Sequence, residues 1–265
     1  MKYALISLIA VDSDKIPAKN VKTVIEIINN LTDVDLILFS GWTLADKSDL
    51  NQVVKNINNS KSTFILEIGD GYRSDRNDDF GFYIVKGKKI IKNAIKQIFM
   101  DSHITDYKEE NKPVQNIQKI LKEFDEKRNF KVKNENIRLI ICGENNILRN
   151  KQKENNDVYF RLKDNDLSNQ FQSIIKNTDI FLNSAHTPMG NLGKLKKRWK
   201  YLSQKNKVCL FTTNEEIIPN VKSKPRTKEV NLYKKSLQYI FSNGKEKTGT
   251  EEITKKYKIT IIEIN

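Results

Sequence analysis

The stretch Ile137-Arg138-Leu139-Ile140-Ile141-Cys142-Gly143-Glu144-Asn145-Asn146 runs five residues of buried-strand character straight into a thiol, a glycine and an acid. A cysteine at the end of such a strand is held rigidly and faces the loops, where a site would sit. The same position suits inert filler, because free cysteine is among the most buried residue types. The segments on either side bear on the choice.

Upstream, residues 113–124 put Val114, Ile117, Ile120, Leu121 and Phe124 on one helical face. Before them, Phe80–Val85 and Lys89–Ile98 read as a strand pair around a Lys86-Gly87-Lys88 turn. The first part of the chain alternates: strand Tyr3–Ala10, helix 18–32, strand Val34–Phe39, helix 48–58, strand Thr63–Ile68 ended by Gly69-Asp70-Gly71. Downstream of Cys142 the alternation returns, with helix 166–177, strand Asp179–Asn183, helix 192–204 and strand Lys207–Thr212. A β-rich end follows, Ser236–Phe241, a Ser242-Asn243-Gly244-Lys245 turn and Lys256–Ile264. Two similar halves of alternating elements imply βαβ crossovers with helices covering sheets. Two such halves predict two sheets packed face to face with helices outside: a four-layer α/β/β/α sandwich. No linker interrupts the pattern, so residues 1–265 read as one domain.

The bulk numbers narrow the possibilities. At 38% hydrophobic and 30% charged, 265 residues suffice for a core. No apolar run reaches ~18 residues, which argues against a membrane span. The start, Met1 to Asp12, has too short and broken an apolar segment for a signal peptide and suits a first strand. Two distant cysteines, Cys142 and Cys209, make no disulfide framework, and two histidines, His103 and His186, make no metal cluster. A reducing cytoplasm and no metal or other cofactor are expected. The net charge of +14 points to an anionic partner such as nucleic acid, or to lysine-rich composition spread over the surface. Its densest run is Lys194-Leu195-Lys196-Lys197-Arg198-Trp199-Lys200. Neither a Gly-rich phosphate loop nor a Gly-x-Ser-x-Gly elbow follows any predicted strand.

Over roughly residues 3–245 the segment order resembles the nitrilase (carbon–nitrogen hydrolase) superfamily. Ile141-Cys142-Gly143-Glu144 is similar to that family's Ile-Cys-aromatic-Asp signature, with Gly for the aromatic and Glu for the Asp. Glu126-Lys127-Arg128-Asn129-Phe130 resembles its Glu-Lys-Arg-aromatic-Phe segment. Gly87 through Lys96-Gln97-Ile98-Phe99 resembles the hairpin ending in its catalytic lysine, with one extra residue between Gly and Lys. Asp179 through Ser184, and Arg198-Trp199 through Val208, resemble the strand, helix and strand that follow its nucleophile. The resemblance implies the α/β/β/α sandwich and a Glu-Lys-Cys catalytic set. It also implies a small amide-type substrate and, as in many members, a homodimer. The departure is at the family's catalytic glutamate. Leu36-Ile37-Leu38-Phe39 matches the preceding strand, but Ser40-Gly41 follows, and Gly41 stands in the glutamate's place.

On the resemblance, Cys142 is the nucleophile, Lys96 the oxyanion stabiliser, and Glu126 orients Lys96 through a hydrogen bond. An unassisted thiol of pKa ~8.5 is only a few per cent ionised at pH 7. Losing the acid that protonates the leaving amine costs about 10²–10⁴ in rate. Glu67, in the neighbouring strand, and Asp46, beyond Gly41, are the candidate substitutes for the base, and each also reads as an ordinary surface carboxylate. Gly41, Trp42, Glu144 and His186 are expected around the substrate pocket, Trp42 narrowing it. Trp42 also reads as a core ring, His186 as an ordinary loop histidine, and Cys209 as core.

Three functions stay open. The first is a carbon–nitrogen hydrolase-like enzyme acting through a Cys142 thioester on a small amide or nitrile. The second is a catalytically degenerate binding protein of the same fold. The third is a basic nucleic-acid-binding protein.

Overall fold

The computed structural model describes residues 1–9, 20–69, 79–100, 112–150, 157–186, 191–214 and 231–264. Ala10, the first residues of the 18–32 helix, Asp70, Gly71, His103, Thr187 and Pro188 lie outside them.

The first half builds one sheet. Strand β1 (Lys2–Leu8), helix α1 (Val21–Asn30), β2 (Leu36–Phe39), helix α2 (Lys47–Asn56) and β3 (Thr63–Ile68) make two crossovers, and the hairpin β4 (Gly81–Lys86) and β5 (Lys89–Ile95) follows. Helix α3 (Lys112–Glu126) leads to the second half, which opens on the hairpin β6 (Asn129–Val132) and β7 (Glu135–Ile141). A 3-10 turn over Cys142–Ile147 follows, then the short ribbon β8 (Leu148–Asn150) and β9 (Val158–Phe160) and helix α4 (Asn165–Lys176). Next come β10 (Ile180–Ala185), helix α5 (Leu192–Leu202), β11 (Val208–Thr213), β12 (Gln238–Ser242) and β13 (Lys245–Lys247), and last β14 (Thr250–Ile253) and β15 (Tyr257–Glu263).

Hydrogen bonding sorts the strands into a seven-stranded sheet, β14-β15-β1-β2-β3-β4-β5, and a six-stranded sheet, β13-β12-β11-β10-β7-β6. The period-2 alternation of strands decides which residues face what. In β1, Tyr3 and Leu5 join Leu36, Leu38, Ile65 and Phe82 in the core between the sheets, where they meet Ile137, Leu139, Ile141, Leu182 and Leu210. Their neighbours Ala4, Ile6 and Leu8 face outward onto α1 and α2 through Val24, Ile27, Ile28, Leu50 and Val53. On the other side, Ile140, Phe181, Cys209 and Phe211 face α3, α4 and α5 through Ile120, Phe124, Phe171 and Trp199. Three apolar layers separate four structural ones, which is the α/β/β/α sandwich expected.

The strands that a short alternating run does not announce are β6, β8, β9, β13 and β14, three or four residues each. The returning strand is also placed by tertiary structure: β15 crosses to the first sheet and pairs antiparallel with β1 from Lys2↔Glu263 to Leu8↔Tyr257. The β4–β5 hairpin is irregular before Lys96, its register shifting between Phe82 and Ile84 and again between Ile84 and Val85. Phe82 opposes Ile95 and Ile84 opposes Lys92, so β5 spends one residue more than β4 over this span, and Ala94 takes a φ of 49°.

Candidate active site

Parallel strands in both sheets deliver their C-terminal ends to one edge of the sandwich. Gly41, just past β2, donates its N–H to the Ala185 carbonyl at the end of β10, 2.8 Å away. Ser184 Oγ donates to the Phe39 carbonyl at 2.9 Å. Buried Asn214, following β11, donates to the Gly41 carbonyl and accepts from the Leu8 N–H at 2.7 Å and from Ser40 Oγ. These cross-sheet bonds set the two half-chains in register where Cys142, His186 and Glu67 meet.

Cys142 begins the 3-10 turn with φ 45°, the left-handed region that a side chain adopts at a cost of about 1–3 kcal/mol. Asn183 supports the turn: its Nδ2 donates to the Ile140 carbonyl at 3.3 Å and reaches the Cys142 carbonyl at 3.5 Å. Its Oδ1 accepts from Trp199 Nε1 at 2.9 Å, which fixes the amide's orientation. Beneath the turn, Glu144 is fully buried and takes four donors: Arg128 Nη1 at 2.6 Å, Arg128 Nη2 at 3.0 Å, and the N–H groups of Ile98 at 2.6 Å and Ile141 at 2.8 Å.

The thiol meets a histidine. His186, the residue after β10, exchanges a side-chain hydrogen bond with Cys142, and the backbone N–H groups of His186 and Gly143 also donate toward the sulfur. His186 Nε2 lies 3.0 Å from Glu67 Oε1 and 2.9 Å from Oε2, which leaves Nδ1 to face the thiol. Glu67, at the end of β3, also accepts the Trp42 N–H at 2.7 Å. Burial works to raise the Cys142 thiol, but the hydrogen bond and charge of His186 override it and hold the thiol below its ordinary value. Burial likewise works against a charged imidazole, yet Glu67, helped by Cys142, holds His186 well above the usual histidine range. Both shifts favour the charged form of each group, thiolate and imidazolium, with the Glu67 carboxylate on the far side of the ring. Cys209 is the contrast: burial without a partner pushes its thiol far up.

Of the residues expected at the site, Cys142, His186, Glu67, Gly41 and Trp42 come together. Glu67 reaches the thiol through His186. Asp46 is exposed and caps α2, its carboxylate accepting the Asp49 N–H at 2.9 Å. Glu144 is fully buried and engaged by Arg128 in the interior. Glu126 is 53% exposed at the end of α3 with its carboxylate 3.8 Å from Lys122. Arg128, two residues on, holds the lysine segment instead, donating from Nη2 to the Lys96 carbonyl at 2.7 Å. Lys96 is half-buried just past β5, its ammonium 4.3 Å from the Phe80 ring centroid. The pairing of His186 with Glu67 beside the thiol, and the supporting contacts of Asn183, Asn214 and Arg128, were not anticipated from the sequence. The available signal was a histidine directly after the strand parallel to the nucleophile strand.

Two other expectations bear on function. Within the basic run on α5, Arg198 is buried against Asn146 and Asn150 and Lys196 pairs with Glu246 at 2.9 Å over the Tyr239 ring, while Lys194 and Lys200 are exposed. Among the described residues, no helix is long and apolar enough to cross a membrane, and no cluster of three or more His, Cys, Asp or Glu side chains could hold a metal ion.

The fold matches solved structures. An amidase of the nitrilase superfamily from Nesterenkonia AN1, solved as a cysteine variant, aligns over 99% of this chain and 90% of its own, with TM-score 0.52 and 8% identity. A CN-hydrolase superfamily protein from Xanthomonas campestris, carrying an arsenic adduct in its active site, aligns over 99% and 91%, with TM-score 0.52 and 9% identity. A glutamine-dependent NAD(+) synthetase from Cytophaga hutchinsonii matches 99% of this chain but only 42% of its own, with TM-score 0.50 and 11% identity. No protein-family model and no curated protein matches the sequence. The chain therefore has a nitrilase-like fold at very low sequence identity.

Proposed function

We propose that this protein is a thiol-dependent hydrolase of the carbon–nitrogen type, attacking a small amide-type carbon with Cys142. The observation that carries the reading is the hydrogen-bonded line Cys142–His186–Glu67. The nucleophile is the thiolate, its proton already on His186 Nδ1. Attack on the carbonyl carbon forms the C–S bond and places the negative charge on oxygen. Lys96, from the neighbouring hairpin, is the proposed counter-charge for that oxygen. Collapse expels the amine, which takes the proton from His186, and leaves a thioester. Water then attacks the thioester, giving its proton to His186, and the acid product leaves as the thiolate returns. Glu67, hydrogen-bonded to the far nitrogen of the ring, orients the imidazole and faces its charge. A positioned acid–base of this kind is worth about 10²–10⁴ in rate, the loss expected from an empty glutamate position.

The test is acylation by p-nitrophenyl acetate, followed by hydrolysis of a panel of small amides. The wild type should show a burst with the acyl group on Cys142 by mass spectrometry. Cys142→Ala should abolish both steps, and His186→Asn should cut amide turnover by about 10²-fold or more. Undiminished turnover in Cys142→Ala, or no acylation of Cys142, would remove the proposal.

A further inference from the structure

The His186 ring occupies space that an ordinary residue 41 would fill. A Cβ built on Gly41 would lie 2.3 Å from His186 Cδ2, 2.9 Å from Glu67 Oε2 and 3.1 Å from the Ala185 carbonyl oxygen. None of these atoms yields easily. The ring is held by two partners, the carboxylate by the Trp42 N–H, and the carbonyl by the Gly41 N–H. The edge of the sandwich therefore has room for a side chain from position 41 or for the ring from position 186, but not for both.

The ring's neighbour is also built in. Trp42 stacks on His186 with centroids 4.9 Å apart and planes 17° from parallel. It does so from a left-handed backbone, φ 54°, which also turns its N–H onto Glu67. The indole is seated by a second glycine: a Cβ on Gly69 would lie 2.7 Å from Trp42 Cδ1 and 3.2 Å from its Cα. An aromatic face within about 6 Å of a cationic ring favours the charged form.

From this packing we infer that Gly41, Trp42 and Gly69 form a slot that seats His186, and that they are positioning residues for the base. The inference rests on the role proposed for His186. It explains the glycine at position 41 as a requirement: the base enters from β10 because β2 ends without a side chain. It also reassigns Trp42 from the substrate to the base.

The experiment is the pH dependence of Cys142 alkylation by iodoacetamide in the full chain, read by mass spectrometry. Gly41→Ala should raise the midpoint toward that of an unassisted thiol, slowing the reaction at pH 6 by at least about tenfold, since one pKa unit is tenfold in thiolate. In a His186→Asn background the same substitution should move the midpoint no further. Trp42→Leu should shift it upward, and Trp42→Phe should restore most of the wild-type profile. Gly41→Ala with a wild-type midpoint would overturn the slot, and so would an equal shift in both backgrounds or a Trp42→Leu profile like wild type. If His186→Asn alone leaves the midpoint unchanged, the base assignment fails instead.

Discussion

Cys142 and Cys209 are the same chemical group in opposite environments. Cys209 stands on β11, fully buried among Phe181, Trp199 and Phe241, and burial drives its thiol up. Cys142 stands one residue past β7, half-buried, with His186 and two backbone N–H groups around the sulfur. The sign of its pH dependence follows. The Cys142 thiol is held below its ordinary value and the His186 ring above its own, so both shifts favour the charged pair. As pH falls, Cys142 reactivity should persist below the ~8.5 of a free thiol and disappear only on passing the depressed thiol value. Limiting iodoacetamide at pH 7 should therefore modify Cys142 at least about tenfold faster than Cys209. Equal, slow labelling of the two would contradict the thiolate–imidazolium pair.

The elements around the thiol are fastened by one buried ion pair. Arg128, between α3 and β6, reaches the Lys96 carbonyl past β5, Glu123 on α3 and Glu144 under the nucleophile turn. Glu144 in turn holds the N–H groups of Ile98 and Ile141. Removing one partner of a buried pair strands the other and costs about 3–5 kcal/mol. Arg128→Leu should therefore lower stability by about that amount in urea, whereas Glu126→Gln, at an exposed helix end, should change it by less than about 0.5 kcal/mol. The reverse order would restore Glu126 to the supporting role that its position in the sequence suggested. Both residues belong to the pentapeptide Glu126-Lys127-Arg128-Asn129-Phe130. Which one turns inward depends on the helix end and the β6–β7 hairpin, and a three- or four-residue strand such as β6 leaves too little pattern to reveal that turn.

At the scale of the whole molecule, the chain closes on itself. The last strand, β15, covers the edge of β1 along its full length, and Ile259 adds to the core beneath α1 and α2. Ending the chain after Lys247 should expose β1 as an unpaired edge, an invitation to intermolecular pairing. The expected outcome is aggregation on size exclusion and loss of the cooperative melt; a monomer with unchanged Tm would show β15 to be dispensable. By itself the sequence determined the sandwich. Helices α1 to α5 and the long strands carry 3.6-residue and two-residue periods that stay legible because burial on one or both faces imposes them locally. It also marked Cys142, Gly41, Trp42, Glu67 and His186 as residues of interest. Only the tertiary structure decided how they stand together. The Cys142–His186–Glu67 line joins three strand ends separated by at least forty residues, and its existence depends on a clash. No local pattern records that residue 41 must lack a Cβ for the ring of residue 186 to fit.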